Sequence, residues 1–371
     1  MLTTLTVDIL DPTANIPGDN LYGQIQEAVD VASPGDKIKV HAGAYDPFVV
    51  NTDNLTITEA KWYSNPVVDG DLHAGNENGV EVNANGVTIR GLTVQNASGS
   101  FGDGTGDGFL INGVDNTFIG NRSIGNADDG FSLRNSDNNL FKSNKALGNN
   151  DDGFSFTKGS DGNTLKNNLA YENGNDGFSL RQSNGTVLYR NQSIGNTDNG
   201  FSLTSGSDGN TLKNNSSSGN ADDGFFLSDS SNNTLTKNWA TGNSDNGFSL
   251  IRGSEDNTLK SNLAYENSNN GFSLVQSNDN TLMWNWSKGN ENDGFAYNNS
   301  DDNTTIRNFA FRNGGNGFSL TGGSDNNHLE SNMALQNGGW GILVDAVMAN
   351  VFSNNFCFFN SLGGSNQSDI C

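Results

Sequence analysis

A Gly-Phe pair recurs along most of this chain at an almost constant spacing. Successive phenylalanines are 22 to 24 residues apart, and the steps alternate between 23 and 24 from Phe131 to Phe272. Self-similarity at such a period is typical of a solenoid, in which each repeat packs only on its neighbours. The column consists of Phe109, Phe131, Phe154, Phe178, Phe201, Phe225, Phe248, Phe272, Phe295 and Phe318, and Ile342 continues it.

Each repeat contains three short stretches that resemble strands. They read roughly N-x-[AS]-x-x-N, G-F-S-L and N-T-L-x-x-N. Each can place alternate side chains inward at the two-residue period of a β-strand, and none has the period of a helix. A leucine-rich repeat would need more buried leucines. We therefore predict an all-β fold, a single-stranded parallel β-helix with three short strands in each coil of about 23 residues.

Asparagine forms two regular columns in the repeats. One includes Asn215 and Asn238 and ends at Asn354, and the other runs from Asn126 to Asn337. Asparagine tolerates the left-handed backbone conformation, and stacked amides can hydrogen-bond between coils at the ~4.8 Å strand spacing. We predict that both columns are structural and occupy left-handed corners. The Phe and Leu of G-F-S-L and the Ala or Ser of the first stretch should then fill the interior.

The N-terminal region differs from the repeats. Ile25, Ala28 and Val29 have helical spacing, Pro34 ends that pattern, and a strand with Val40 follows. Because a solenoid must cover its open end, we predict a short N-terminal capping helix. The whole chain, 1–371, is expected to be one β-helix domain. Its parts are the cap and first coils (1–60), less regular coils (61–105), regular coils (106–356) and a C-terminal tail (357–371).

The phrase IQEAVDVASPGDKIKVHAGAY resembles the start of pectin-lyase-like right-handed β-helix proteins, and NLAYENGNDGFSL resembles the coils of mannuronan epimerase and alginate lyase-like modules. The resemblance implies a right-handed β-helix in a secreted protein that acts on or binds an acidic polysaccharide. The epimerases carry Tyr-Gly-Phe-Asp-Pro-His at one Gly-Phe pair. Here Ser follows Phe131, Phe154, Phe178 and Phe201, so the epimerase residues are not carried over.

Charge and cysteine content bear on partners and compartment. The formal net charge of −23 argues against nucleic acid as a partner. No segment is long and apolar enough for membrane insertion, and MLTTLTVDIL lacks the pattern of a signal peptide. We expect a secreted, monomeric protein in its mature form. Cys357 and Cys371 either form a disulfide, which would imply an oxidising compartment, or are two free thiols.

Three cations follow successive Gly-Phe pairs. Arg134, Lys158 and Arg181 should stack at intervals of about 5 Å on adjacent strands. Arginine can clamp a uronate carboxylate, and a lysine between two guanidinium groups is favoured as a base, so we assign these residues as catalytic. Arg252 has a similar position and is a candidate substrate contact. The alternative is that the cations only pair with nearby aspartates.

Acidic residues precede most Gly-Phe pairs. Paired aspartates and the loop GDGTGDG could bind Ca²⁺ through carboxylate and turn oxygens, although they could equally be solvated turn residues. The candidate ligands are Asp103, Asp107, Asp128, Asp129, Asp151 and Asp152.

Aromatic residues flank the small residue of the first stretch. If Ala240 and Ser287 point inward, Trp239, Tyr265 and Trp286 point outward and could stack on sugar rings. With the opposite facing they would belong to the core.

These patterns favour a lyase that cleaves a uronate-containing polysaccharide by β-elimination. A non-catalytic carbohydrate-binding or adhesin-type module is the alternative, because the coils have almost no long loops. A uronate epimerase is a third interpretation. The sequence does not identify the sugar.

Overall fold

The protein is a parallel β-solenoid whose strands form three parallel β-sheets. The computed structural model describes residues 2–11, 13–14, 20–61, 64–73, 75, 77–99, 104–345, 349–368 and 370–371. The chain comprises two compact units, residues 1–179 and 180–371, which are described separately. One strand, Phe178–Arg181, contains the boundary between them. The prediction of an all-β solenoid with three strands per coil is confirmed.

In both units the sheets are named after their sequence signatures. The NTL sheet contains the N-T-L stretch, the small-residue sheet contains the inward Ala or Ser, and the Gly-Phe sheet contains the strand after the Gly-Phe glycine.

In the first unit the strands of the NTL sheet are Thr4–Val7, Leu21–Tyr22, Lys37–Val40, Thr56–Glu59, Thr88–Arg90, Thr117–Ile119, Leu140–Lys142 and Thr164–Lys166. Those of the small-residue sheet are Ala44–Tyr45, Val67–Asp69, Thr93–Gln95, Arg122–Ile124, Lys145–Leu147 and Leu169–Tyr171. Those of the Gly-Phe sheet are Phe48–Val50, Val80–Val82, Phe109–Ile111, Phe131–Arg134 and Phe154–Thr157. A 3₁₀ helix spans Gly70–Leu72.

In the second unit the NTL sheet contains Val187–Tyr189, Thr211–Lys213, Thr234–Thr236, Thr258–Lys260, Thr281–Met283, Thr304–Ile306, His328–Glu330 and Val351–Ser353. The small-residue sheet contains Gln192–Ile194, Ser216–Ser218, Trp239–Thr241, Leu263–Tyr265, Trp286–Lys288, Phe309–Phe311, Met333–Leu335 and Phe356–Phe358. The Gly-Phe sheet contains Phe201–Thr204, Phe225–Ser228, Phe248–Ile251, Phe272–Val275, Phe295–Asn298, Phe318–Thr321, Trp340–Val344 and Gly363–Ser365.

The N-terminal helix is confirmed as Ile25–Val31, and it buries Ile25, Ala28 and Val29. Glu27 accepts the backbone N–H of Gln24 at 2.8 Å, which satisfies a donor at the start of the helix. The helix contacts Thr4–Val7, one of the first strands of the NTL sheet, so it lies where a cap is needed.

The interior is filled as the sequence predicts. In the second unit the rings of Phe201 and Phe225 stack with centroids 4.7 Å apart, and Phe225 stacks on Phe248 at 4.8 Å. These distances match the spacing of adjacent strands, so identical side chains form a continuous apolar column. The glycine before each phenylalanine is needed for space. A Cβ on Gly224 would lie 2.6 Å from the carbonyl oxygen of Gly247.

The asparagine columns form hydrogen-bond ladders, but they do not occupy left-handed corners. Asn215 is buried, and its side-chain amide donates to the carbonyl of Leu188 at 2.9 Å and to Oδ1 of Asn238 at 3.1 Å. The left-handed conformation belongs to the preceding residue, Asn214, at φ 56°. In the last coil Asn354 is likewise left-handed, and Asn355 continues the ladder.

A third asparagine ladder begins the N-T-L stretch. The backbone N–H of Asn233 donates to Oδ1 of Asn257 at 2.8 Å, and Asn257 donates in the same way to Asn280 at 2.9 Å. The buried backbone groups at three corners of a coil are therefore satisfied by side chains of the neighbouring coil.

Candidate functional site

Four buried aspartates follow one another at the start of the Gly-Phe strands in the first unit. Asp107 Oδ1 accepts the backbone N–H of Asp129 at 3.2 Å, Asp129 Oδ1 accepts that of Asp152 at 3.0 Å, and Asp152 Oδ1 accepts that of Asp176 at 3.0 Å. The four side chains are at most 6% exposed. We call Asp107, Asp129, Asp152 and Asp176 the acidic ladder. Its geometry comes from the turn before each Gly-Phe pair, which aims every carboxylate at the next coil.

Burial dominates the electrostatics of this ladder. It raises the pKa of Asp107 to about 7, although the guanidinium of Arg134 opposes the shift. The pKa values of Asp129 and Asp152 are raised well above the ordinary range by burial, with additional repulsion from Asp152 and Asp176 respectively. Carboxyl groups in such a row are favoured in their neutral form.

The second unit interrupts the equivalent row with asparagine. Asp223 Oδ1 accepts the backbone N–H of Asn246 at 2.8 Å and its amide at 3.0 Å, and Asn246 repeats this pattern toward Asn270. Burial raises the pKa of Asp223 to about 7, with Asp245 adding repulsion. The asparagines preserve the hydrogen bond and remove the charge.

Arg134 is the cation of the acidic ladder. Its Nη2 lies 3.0 Å from Oδ2 of Asp107, and the arginine side chain remains 26% exposed. Gly104 leaves room for it, because a Cβ there would lie 2.8 Å from Nη1 of Arg134. The pairing that the sequence left open as an alternative to catalysis is therefore present for this residue.

The sequence interpretation assumed that Arg134 and Lys158 occupy equivalent positions. In the structure they do not. Arg134 lies opposite Thr157 in the strand register, and the exposed Lys158 is the next residue, in the left-handed conformation at φ 56°. The offset arises because Arg134 is the third residue after Phe131, whereas Lys158 is the fourth after Phe154 and so matches the corner residue Asn135. The two cations still lie on the same rim of the Gly-Phe sheet, Arg134 at the end of its strand and Lys158 just beyond the end of the adjacent one.

The other predicted cations lie in the second unit. Arg181 is exposed at the end of its strand, and Arg252 is exposed at a left-handed corner, with φ 54°. Within that unit, neither side chain lies in an ion pair with a described residue.

Two acidic clusters could bind a metal ion. Asp128, Asp129 and Asp151 each place one carboxylate oxygen within 4.8 Å of the others. Of the other predicted ligands, Asp107 pairs with Arg134, Asp152 accepts hydrogen bonds from Asn175 and Asp176, and Asp103 lies outside the described residues.

The sequence interpretation did not select the second cluster, Asp222, Asp223 and Asp245. The pKa of Asp222 is raised to about 6, mainly by burial and further by the neighbouring Asp198. The doubled aspartate before Gly224, which also occurs before Gly130 and Gly153, is the signal that could have identified it.

A cleft of about 400 Å³ lies beside the early Gly-Phe strands of the first unit. Its lining includes His73, Glu77 and Thr105, and Nδ1 of His73 lies 3.1 Å from Oε2 of Glu77. Asn78, also in the lining, accepts the backbone N–H of Asp107 at 2.9 Å and so connects the cleft to the acidic ladder. Sequence reasoning missed this cleft because its residues come from irregular coils outside the repeat.

The predicted aromatic residues point outward. Ala240 and Ser287 are fully buried, whereas Trp239 and Trp286 are 58% and 54% exposed. Tyr265, from the intervening coil, is half-buried, and the ammonium of Lys288 lies 5.1 Å from its ring centroid. Of the two facings that the sequence left open, the outward one is observed for these aromatic side chains.

Cys357 and Cys371 are joined by a disulfide, with their Cα atoms 5.6 Å apart. None of the helices that the structure describes is long and apolar enough to cross a membrane.

The repeat and its three sheets agree with the family comparison. The model of the family described as "Right handed beta helix region" matches residues 48–216 and 107–263, which together cover more than half of the chain. The chain belongs to this right-handed β-helix family. A second model, described as "Periplasmic copper-binding protein (NosD)", matches residues 250–367. No curated protein sequence matches the chain.

Solved structures with this β-helix fold include two enzyme modules. The A-module of a mannuronan C-5 epimerase from Azotobacter vinelandii is 18% identical, with a TM-score of 0.65 over 93% of this chain and 95% of that one. A second epimerase A-module from the same organism is 16% identical, with a TM-score of 0.53 over 92% of each chain. The Dettilon tailspike protein is 15% identical, with a TM-score of 0.52 over 90% of this chain and 62% of that one. At these identities the likeness shows the fold.

Within the described part of residues 250–367, which match the copper-binding family, no group of three or more His, Cys, Asp or Glu side chains lies close enough together to hold a metal ion. Copper favours imidazole and sulfur ligands. His328 lies 3.7 Å from Glu330, and Cys357 is bonded to Cys371. The acidic clusters, with oxygen donors alone, suit a hard cation better.

Proposed function

We propose that the protein binds a uronate-containing polysaccharide and cleaves it by β-elimination. The observation that carries this proposal is the pair of cations on one rim of the Gly-Phe sheet in the first unit. Arg134 is held by Asp107 at 3.0 Å, and Lys158 is exposed just beyond the adjacent strand. Arg134 packs against Gly104, and the neighbouring Thr105 lines the 400 Å³ cleft, so a sugar could lie beside the pair.

Each group has a definite chemical task in this proposal. The guanidinium of Arg134 would neutralise the uronate carboxylate and stabilise the charge that develops on it when C5 loses its proton. Lys158 Nζ, in its unprotonated form, would take that proton. The electron pair forms the C4–C5 double bond, the glycosidic C4–O bond breaks, and the leaving oxygen takes a proton from water. Arg181 and Arg252 would contact carboxylates of the polymer in the second unit.

The test is a screen for unsaturated products. The purified protein is incubated with alginate, pectate, ulvan and glycosaminoglycans, and the ultraviolet absorbance of the unsaturated uronate is followed. A rise with one polymer supports the lyase. A change in the C5 configuration without a rise would indicate an epimerase, which uses the same carbanion.

Binding without cleavage is the second candidate function. It is favoured by the ion pair with Asp107, which already engages part of the Arg134 guanidinium, and by the short, regular corners of the coils in the second unit. Retention of one of the four polymers on the immobilised protein, with no unsaturated product, would support this module.

We further propose Ca²⁺ as the ion of the acidic clusters and an oxidising, extracellular location. Asp128, Asp129 and Asp151 supply the carboxylate oxygens that Ca²⁺ prefers. The disulfide between Cys357 and Cys371 supports secretion, because such bonds persist mainly outside reducing compartments.

A further inference from the structure

Along six consecutive coils of the second unit, one edge lacks acidic residues although the protein is strongly acidic. Acidic residues outnumber basic ones 42 to 19 in the chain. In each of six coils, one eight-residue segment forms the NTL strand, the corner after it and the small-residue strand, and it includes no Asp or Glu. We call these six segments together the basic edge. They are residues 187–194, 211–218, 234–241, 258–265, 281–288 and 304–311.

Each of these six segments contributes one cation. Lys288 is half-buried and the other five are exposed. Within the described residues, none of the six lies within 4.0 Å of a carboxylate oxygen. Adjacent strands are ~4.8 Å apart, so the cations recur about once per strand spacing. They are Arg190, Lys213, Lys237, Lys260, Lys288 and Arg307.

Aromatic side chains lie among these cations. The guanidinium carbon of Arg307 lies 5.0 Å from the ring centroid of Trp284, and Lys288 is 5.1 Å from that of Tyr265. Trp239, Trp284 and Trp286 are each about half exposed, at 58%, 48% and 54%. Their rings offer flat apolar surface among the positive charges.

These cations are not explained as groups that screen the repulsion between acidic side chains stacked in adjacent coils. Cations that only screened acidic side chains would lie beside them, but the strand neighbours of Lys213 and Lys260 are Tyr189, Thr236 and Met283. Acidic residues of neighbouring coils adjoin Lys288 and Arg307, namely Glu266 and Glu330. A row of cations without carboxylate partners attracts an anionic ligand from outside the unit. Two copies of this chain, each with a net charge of −23, would repel one another overall, so a second copy is not the favoured ligand.

We infer that the basic edge binds an acidic polysaccharide chain that runs along the stack of coils. A polyuronate carries one carboxylate on each sugar, which matches a cation on each coil. The apolar faces of its rings can stack on the tryptophans. The site is separate from Arg134 and Lys158, and it shares with the proposed function the assumption that the ligand is a polyuronate.

The experiment measures binding of polygalacturonate oligomers to the full chain by calorimetry at low and high salt, with dextran as a neutral polymer. Lys237→Gln/Lys260→Gln should weaken binding by roughly 5- to 20-fold at low salt, since each exposed charge contact is worth up to ~1 kcal/mol. The variant should also reduce the salt dependence. The matched control, Lys37→Gln/Lys61→Gln, makes the same change of charge at exposed sites elsewhere and should bind like wild type.

Two further readouts test the geometry. Trp286→Ala should weaken binding with little change in the salt dependence, because it removes stacking and no charge. Affinity should rise with oligomer length until the chain spans the six coils, about 24 Å at the ~4.8 Å strand spacing. Equal affinity of wild type and Lys237→Gln/Lys260→Gln would overturn the inference, and so would equally tight binding of dextran or of duplex DNA.

The outcomes separate this inference from the proposed function. Binding that depends on Lys237 and Lys260, without any unsaturated product, supports the basic edge and contradicts the lyase. Cleavage of long polymers by Lys237→Gln/Lys260→Gln with unchanged KM supports the lyase and contradicts the basic edge.

Discussion

The carboxylate of Asp152 accepts the backbone N–H of Asp176 at 3.0 Å, so two buried acidic residues follow one another in adjacent coils. Asp129 precedes them in the same ladder. A carboxyl group in this position accepts its hydrogen bond in either protonation state, but only the neutral form avoids repulsion within the row. The stability of the first unit should therefore depend on pH.

We predict that the protein loses stability as pH rises. The pKa values of Asp129 and Asp152 lie well above their ordinary range, and that of Asp107 is about 7. Between about pH 4 and pH 7 the folded state holds protons that the unfolded state releases, so stability falls across this window. Melting temperatures in chelator should drop from about pH 5 to about pH 8. A melting temperature that stays constant or rises over this range would contradict the raised pKa values of the acidic ladder.

Asp152→Asn should stabilise the protein at about pH 8, by roughly 1–3 kcal/mol, because it removes a buried charge and keeps the acceptor. The gain should shrink as pH falls, since burial raises the pKa of Asp152 and favours its neutral form. The second unit supplies the reverse experiment. Asn246→Asp would place a carboxylate next to Asp223 and should destabilise at about pH 8. Equal melting temperatures for both variants and wild type in denaturation curves at each pH would refute this account.

Asn215→Leu should lower the free energy of unfolding by roughly 2–4 kcal/mol, because it leaves buried hydrogen-bonding groups without partners. Asn215 Oδ1 accepts the backbone N–H of Asn191 at 2.8 Å, and its amide donates to Leu188 and Asn238. The control is Asn214→Gly, since glycine tolerates the left-handed conformation at this position. Urea denaturation of both variants measures the difference, and similar losses would show that the ladder is not the source of stability.

Calcium should raise the melting temperature by several degrees at neutral pH, because a ligand that binds only the folded state stabilises it by mass action. Chelator should remove the effect. Asp128→Asn/Asp151→Asn should abolish most of it if the first cluster is the site. Asp115→Asn/Asp137→Asn makes the same change of charge at turns outside the cluster and should respond like wild type. Melting curves of wild type that coincide with and without calcium would show that the aspartates are solvated or protonated side chains.

Lys158→Ala should reduce polymer cleavage by ~10²–10⁴-fold, the usual cost of losing a positioned base. Folding should be unaffected because the side chain is exposed. Arg134→Lys should also reduce turnover, since an ammonium group cannot reproduce the paired N–H groups of a guanidinium. Lys61→Ala, at an exposed site in the early coils, is the control for nonspecific charge effects. Cleavage by Lys158→Ala at the wild-type rate would move the active site elsewhere.

The sequence predicted the fold because every coil repeats the same physical requirements. Phenylalanines that stack at the strand spacing, buried Ala240 and the amides that bond between coils all leave columns in the sequence. The left-handed corners were assigned to the wrong residue because their occupants vary. Asn214, Lys237 and Trp284 all adopt a positive φ, so no residue type marks the position.

The candidate site was less predictable for a related reason. The sequence interpretation grouped cations three or four residues after each Gly-Phe pair and so placed Arg134 and Lys158 in one column, but the register pairs Arg134 with Thr157. Because side chains alternate along a strand and the strand ends at the third residue after the phenylalanine, a difference of one position separates a strand residue, Arg134, from a corner residue, Lys158. The cleft near His73 depends on irregular coils, for which the repeat gives no template.

An additional glycine explains the alternating coil lengths and has a consequence for how such a chain can evolve. Gly159, Gly206 and Gly253 follow the Gly-Phe strand in the longer coils, have φ values of 77°, 81° and 77°, and face open space. An insertion at any of these points leaves the phenylalanine stack and the three asparagine ladders in register, whereas one inside a strand would break them all. A recognition loop grafted after Gly206 should therefore be accommodated by a scaffold that rejects the same loop after Leu212.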